Sequence, residues 1–110
     1  MNALFLIATI AAAPAPSAED LIAEARESYR AGLREQADAA RAQPHFRRAA
    51  ESFERAWDAG AQSPAIAGNM AQSRLLAGDL GLCIRNYRRG LQLFPHDLAL
   101  RNGLDRKSNV

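Results

Sequence analysis

The chain repeats its own chemistry at a distance of 34 residues. Shifting the sequence by that amount sets Phe46 on Leu80, Ala49 on Cys83, Ala50 on Ile84, Phe53 on Tyr87, Arg55 on Arg89, Ala56 on Gly90 and Trp57 on Leu91. A small residue, an aromatic four positions later and a small residue three after that lie on one helical stripe. Such a stripe packs closely on a neighbour at two points and inserts one ring between them. A unit of this kind cannot bury its own apolar face, so repeats stack and share a core. Composition agrees, because Val occurs once, at Val110, and leaves a sheet without its usual β-branched material, whereas 24 alanines favour helix. The chain therefore reads as all-α.

Local signals set the elements. Ile22, Ala25, Tyr29, Leu33, Ala37 and Ala40 recur every three or four residues, which predicts a first helix from Ser17 to about Gln43. It either runs unbroken or divides near Gly32. Ser17 and Asp20 have capping-box spacing, and Pro44 is expected to end the helix at the residue before it. A second helix is expected from Pro44 to Ala59, stopped by Gly60. Ser63-Pro64 opens a third that ends at Ala77-Gly78, Asp79 begins a fourth that Phe94-Pro95 stops, and Asp97 caps a fifth from Leu98 to Arg106.

With those residues in place, the chain resembles the tetratricopeptide repeat, a 34-residue helix-turn-helix unit. Cys83, Tyr87, Gly90 and Pro95 fit its second-helix pattern, Ala49, Phe53 and Ala56 fit it one repeat earlier, and Leu75-Leu76-Ala77-Gly78-Asp79-Leu80 reads like its inter-helix turn. The resemblance covers residues 19–106 and implies an antiparallel solenoid of about two repeats with a C-terminal capping helix. Met70-Ala71 and Arg74 depart from the pattern, so looser packing is expected there. Ala61 also replaces the first closing proline. Together with the apolar leader, the Ala-Gly-Asp-Leu turn and the run Tyr87-Arg88-Arg89-Gly90-Leu91 resemble the repeat-bearing component of bacterial Bat aerotolerance systems. That resemblance implies an envelope scaffold that works beside other proteins.

Residues 1–18 read as a separate segment. An uncharged apolar run from Ala3 to Ala13, then Pro14-Ala15-Pro16-Ser17-Ala18, follows the plan of a secretory leader with cleavage after Ser17 or Ala18. Eleven residues fall short of the roughly 20 that span a bilayer as a helix. Export to the periplasm or envelope is expected. The absence of Lys or Arg from Met1-Asn2 keeps cytoplasmic placement, or an uncleaved anchor, as the alternative. Residues 107–110 form a tail.

The basic and acidic residues number 14 and 12, a formal charge of +2, and 13 of the 14 bases are Arg. Residues 59–110 are mildly basic, yet Arg85, Arg88 and Arg89 stand almost alone rather than in the dense, aromatic-interleaved stripe of nucleic-acid binders, and the one ring among them, Tyr87, is assigned to the core by the repeat register. Nucleic acid is therefore a disfavoured partner. Catalysis needs a nucleophile, base or metal set within reach of one another. Cys83 occupies a small-residue position of the repeat and reads as a buried inert thiol, while His45 and His96 lie beside prolines at helix boundaries. Glu51, Glu54 and Asp58 are spaced for exposed pairs with Arg47, Arg48 and Arg55. No pair of Cys or His has zinc spacing and no glycine-rich run matches a phosphate loop. The chain reads as non-enzymatic, without cofactor, metal or small-molecule substrate.

What remains is surface. The resemblance implies that the first helix of each repeat lines a groove, which places Ala65, Gly68, Asn69, Gln72 and Leu76 against a protein partner. The alternative is that they pack on a neighbouring helix. Gly68 and Gln72 are neutral, so the basic pair with which some family members clamp a carboxylate terminus is missing. A self-associating helical protein is the second reading, because about two repeats leave apolar edges open at either end.

Overall fold

The structure, a computed structural model, describes residues 14–108 and is all-helical over that span. Five helices follow one another: α1 (Ala18–Arg34), α2 (Ala39–Asp58), α3 (Pro64–Leu76), α4 (Leu80–Leu93) and α5 (Leu98–Ser108). Residues 1–13, most of the expected leader, and 109–110 lie outside the described residues. No helix among the described residues is long and apolar enough to cross a membrane.

Most helix ends follow their sequence signals. Ser17 Oγ accepts from the Asp20 backbone N–H at 3.1 Å and the Ser17 N–H donates to Asp20 Oδ2 at 3.3 Å, a complete capping box. Ser63 Oγ accepts from the Ile66 N–H at 3.1 Å, and Asp97 Oδ1 from the Leu100 N–H at 3.0 Å. At the other ends, α2 and α3 close on Gly60 (φ 107°) and Gly78 (φ 86°). In both, the following amide reaches back to a carbonyl five residues earlier, Ala61 to Ala56 at 3.0 Å and Asp79 to Arg74 at 2.8 Å.

The first boundary differs from the expectation of a helix ending at Gln43. Helix α1 stops at Arg34, a short turn spans Glu35 to Asp38, and α2 starts at Ala39 with Pro44 inside it. Of the two forms open in the sequence, the break near Gly32 is the one adopted. Asp38 decides the register, since its carboxylate accepts from the backbone N–H groups of Ala40 and Arg41 and nucleates α2 early. Pro44 then removes one ladder hydrogen bond without ending the helix. Gly32 sets how α1 and α2 meet: a Cβ there would lie 2.7 Å from the Phe46 ring, so only glycine permits the approach. Tyr29 meets the same ring edge-on, at 5.2 Å between centroids and 73° between planes.

Each helix packs on the next in sequence, α1 on α2 through to α4 on α5, and α3 also touches α5. The main core joins all five helices through Ala25, Phe53, Trp57, Ile66, Met70, Cys83, Tyr87 and Leu100. A smaller cluster of Ala42, Phe46 and Ala77 closes the α1–α2 turn end, with Tyr29 and Leu76 against it. Three of the pairs related by 34 residues share their burial: Ala49 and Cys83 are fully enclosed, Phe53 and Tyr87 are both core rings, and Ala56 and Gly90 are both buried, whereas Ala50 and Trp57 are buried and their counterparts Ile84 and Leu91 only half-buried. Phe46 and Leu80 part company, because α2 begins well before Phe46 whereas Leu80 opens α4 and stays exposed.

Candidate functional site

The five groove residues expected on α3 do not all share one environment. Ala65, Gly68 and Asn69 line a hollow of ≈ 400 Å³ whose opposite wall is α5, with Asp97, Ala99 and Arg106. Asn69 also borders a second hollow, of ≈ 330 Å³, lined by Arg26, Tyr29, Arg30 and Leu33 of α1 and by Phe53 of α2. Asn69 is thus the shared rim of two depressions between the odd-numbered helices. Gln72 and Leu76 continue the same face of α3 but are half-buried, and Leu76 lies against the Phe46 cluster.

The ion pairs differ from the expected ones along α2. Glu54 does not pair within its own helix. Its carboxylate takes a bidentate contact from Arg74 of α3, Nη2 to Oε1 at 2.7 Å and Nε to Oε2 at 2.9 Å, and a third bond from Asn86 Nδ2 of α4 at 2.8 Å. Arg74 also donates from Nη1 to Asp79 Oδ2 at 3.2 Å, and Arg47 approaches the same carboxylate at 3.6 Å. Asp79, engaged by these guanidinia, makes no side-chain cap to α4. Arg74 therefore fills the position where looser packing was expected, with only 11% of its side chain exposed. Nothing in helical spacing reveals a link across 20 residues, but two polar residues within apolar stripes, Arg74 and Asn86, were the signal available.

Glu54 titrates below the usual carboxylate range. Burial alone pushes its pKa up, but the hydrogen bonds from Arg74 and Asn86 and the positive charges of Arg74 and Arg89 outweigh that effect. Arg74 shifts up in return, chiefly through its hydrogen bond to Glu54. The arrangement is a structural clasp joining α2, α3 and α4.

The other chemical candidates resolve as follows. Cys83 is fully enclosed and its thiol pKa is raised by burial, with Lys107 drawing it down to a lesser degree. His45 Nδ1 accepts from Arg48 Nη2 at 2.7 Å. Among the described residues no group of three or more His, Cys, Asp or Glu side chains is arranged to hold a metal ion. Of the three clustered arginines on α4, Arg85 and Arg88 are exposed, while Arg89 is drawn to Asp58 Oδ1 at 2.9 Å and lies 5.9 Å from the centre of the Trp57 ring. The face between α1 and α2 holds a further hollow of ≈ 450 Å³, in which Glu24, Glu27 and Glu51 stand with Arg48 and Arg55.

Comparison with protein-family models, with curated proteins and with solved structures gives no match.

Proposed function

We propose that this chain is a non-enzymatic, tetratricopeptide-type module that binds another protein through the face formed by α1, α3 and α5. The observation that carries the reading is the convergence of two hollows on one residue, Asn69, at the centre of the odd-numbered helices. The 34-residue register supports it, as does the packing of each helix on its sequence neighbour. In this reading α5 is the cap: its inward side buries Leu100 and Gly103, and its outward side carries Arg101, Asn102 and Asp105. The apolar run at residues 3–13 motivates placing the module in a bacterial cell envelope, as part of a scaffold of the kind the Bat resemblance implies.

A photo-reactive residue in place of Asn69 tests the interaction. It should cross-link in the producing cells to one discrete protein, and the same probe at Arg85 on α4 should not. Equal labelling from both positions, or none from Asn69, rejects the α3 face. Asn69→Ala combined with Gln72→Ala should weaken capture of that protein. A second reading, self-association, draws on Leu93 and Leu98, which are 51% and 70% exposed around the α4–α5 turn. Light scattering that finds a strict monomer at high concentration removes it.

A further inference from the structure

We infer that the end of the ladder where α1 begins is a membrane-contact surface, at which Leu93, Phe94 and Leu98 of the α4–α5 turn dip into a lipid bilayer beside the apolar run at residues 3–13. The inference rests on the envelope placement proposed above and on a chain that keeps that run, and it adds which end of the molecule faces the lipid.

Alternation of the helices fixes what shares that end. Gly32 late in α1 meets Phe46 in the first half of α2, Phe46 packs with Ala77 just beyond α3, and Gly90 late in α4 meets Ala67 early in α3 and Leu100 early in α5. The start of α1, the α2–α3 turn and the α4–α5 turn therefore lie together, opposite the α1–α2 turn. Uncharged residues dominate the three segments: Pro14, Ala15 and Pro16 lead into α1, Ala59-Gly60-Ala61 closes α2, and Leu93, Pro95 and Leu98 flank the last turn. Leu93 and Leu98 are more exposed than any other large apolar side chain among the described residues. The opposite end is charged, with Arg34, Glu35, Asp38 and Arg41 around its first turn, and Leu80 and Leu82 there are less exposed. The α4–α5 turn also uses its polar groups internally. Asp97 Oδ1 accepts from the Leu100 N–H at 3.0 Å, the Asp97 N–H donates to the Phe94 carbonyl at 3.1 Å, and Arg101 Nη2 donates to the Pro95 carbonyl at 3.1 Å. Contact with lipid thus strands few of them.

The occupant follows from the chain that joins this end. Eleven apolar residues, 3–13, are too few to span a bilayer as a helix, and one short apolar element holds a protein on a bilayer only reversibly. Only residues 14–17 separate that run from α1, so a second apolar contact at the same end turns two weak insertions into one firm attachment. Two leucines and part of one ring cover far less than the roughly 800 Å² that each partner buries in a standard protein interface, so a second copy is the poorer occupant. Glu19 and Asp20 in the first turn of α1 stand at the same end, so anionic headgroups gain nothing there and the contact rests on apolar insertion.

The test places the whole chain on unilamellar phosphatidylcholine vesicles that contain a nitroxide-labelled lipid. An environment-sensitive fluorophore is attached at Leu98→Cys and, in a separate protein, at Gln36→Cys in the α1–α2 turn; the native Cys83 is enclosed and does not compete for label. Emission from position 98 should be quenched by the vesicles, and emission from position 36 should not. In the unlabelled chain, Leu93→Ser with Leu98→Ser should lower the vesicle partition coefficient by about tenfold or more, and binding should be insensitive to salt. Both leucines are exposed, so the variant's thermal melt should match that of the parent, which separates lost contact from lost folding. Equal quenching at both ends, no quenching at position 98, or an unchanged partition of the serine variant overturns the inference. Binding that needs phosphatidylglycerol and fades with salt overturns it too, since charge then replaces insertion. Blue-shifted emission at position 98 without vesicles, and unquenched when they are added, assigns the turn to a second copy if it grows with protein concentration and to the chain's own apolar run if it does not; either result rejects the bilayer. Fractionation of the producing cells decides the envelope placement separately, and the cross-link at Asn69 decides whether α3 contacts a protein.

Discussion

Gly90 allows α3, α4 and α5 to meet. A Cβ there would lie 2.6 Å from the Ala67 Cβ and 2.9 Å from Leu100 Cδ1, and the first of those atoms is anchored to backbone, so the helices themselves would have to separate. Gly90→Ala should cost about 1–3 kcal/mol despite the gain in helix propensity. Gly81, in the same helix, has nothing within 4 Å of its virtual Cβ. Gly81→Ala should be neutral or stabilise by up to about 1 kcal/mol, so opposite shifts in denaturant midpoint within α4 check the assignment. Phe53, 2% exposed in the main core, is the ring that the repeat pattern marks for insertion. Phe53→Ala should lower stability by about 3–5 kcal/mol, and near-unchanged thermal stability would refute its place in the core. These positions were legible in the sequence because small-x3-aromatic spacing is a steric requirement. The pocket side of α1 was not, since two arginines one turn apart look like any solvated face until α3 supplies Asn69 and α2 supplies Phe53.

At the scale of the elements, the clasp of Glu54, Arg74 and Asn86 makes α2, α3 and α4 respond together to acid. The folded pKa of Glu54 lies below its ordinary value of about 4.5, so ionised Glu54 stabilises the fold above that pH. That contribution is lost as pH falls through the folded value. Melting temperature should decline on acidification below about pH 4.5. Glu54→Gln should be less stable at neutral pH and show a flatter decline over the acidic window. The first helix carries a different liability. Processing after Ser17 or Ala18, as the leader suggests, would remove the capping box that Ser17 and Asp20 complete. A chain starting at Glu19 should be about 0.5–2 kcal/mol less stable than one starting at Pro14, measured by denaturant titration. Caps and glycine stops made the last three helices readable to within about two residues at each end, the scatter usual for such boundaries. The α1–α2 turn was harder, because the prohibition expected of Pro44 competes with the Asp38 cap and only packing against Gly32 shows which prevails.

The whole molecule was legible as all-α, whereas its polar ties were not. Helical periodicity reports which side of each helix is apolar, but a salt link such as Asp58 to Arg89 spans 31 residues and depends on how α2 and α4 lie together. The same holds for the candidate surface. The repeat resemblance implied a shared face for Ala65, Gly68 and Asn69 of α3, while the walls that turn the face into two hollows come from α1 and α5. Because each helix packs chiefly on the one that follows it, native contacts join neighbouring helices rather than the two ends of the chain. The loops closed during folding are short, and the entropy lost in closing them is small. Refolding from denaturant should therefore be complete within microseconds to milliseconds, a range that stopped-flow fluorescence of Trp57 or a temperature jump resolves. A chain with this connectivity can assemble helix by helix as it emerges, before its last helix is available to join the others.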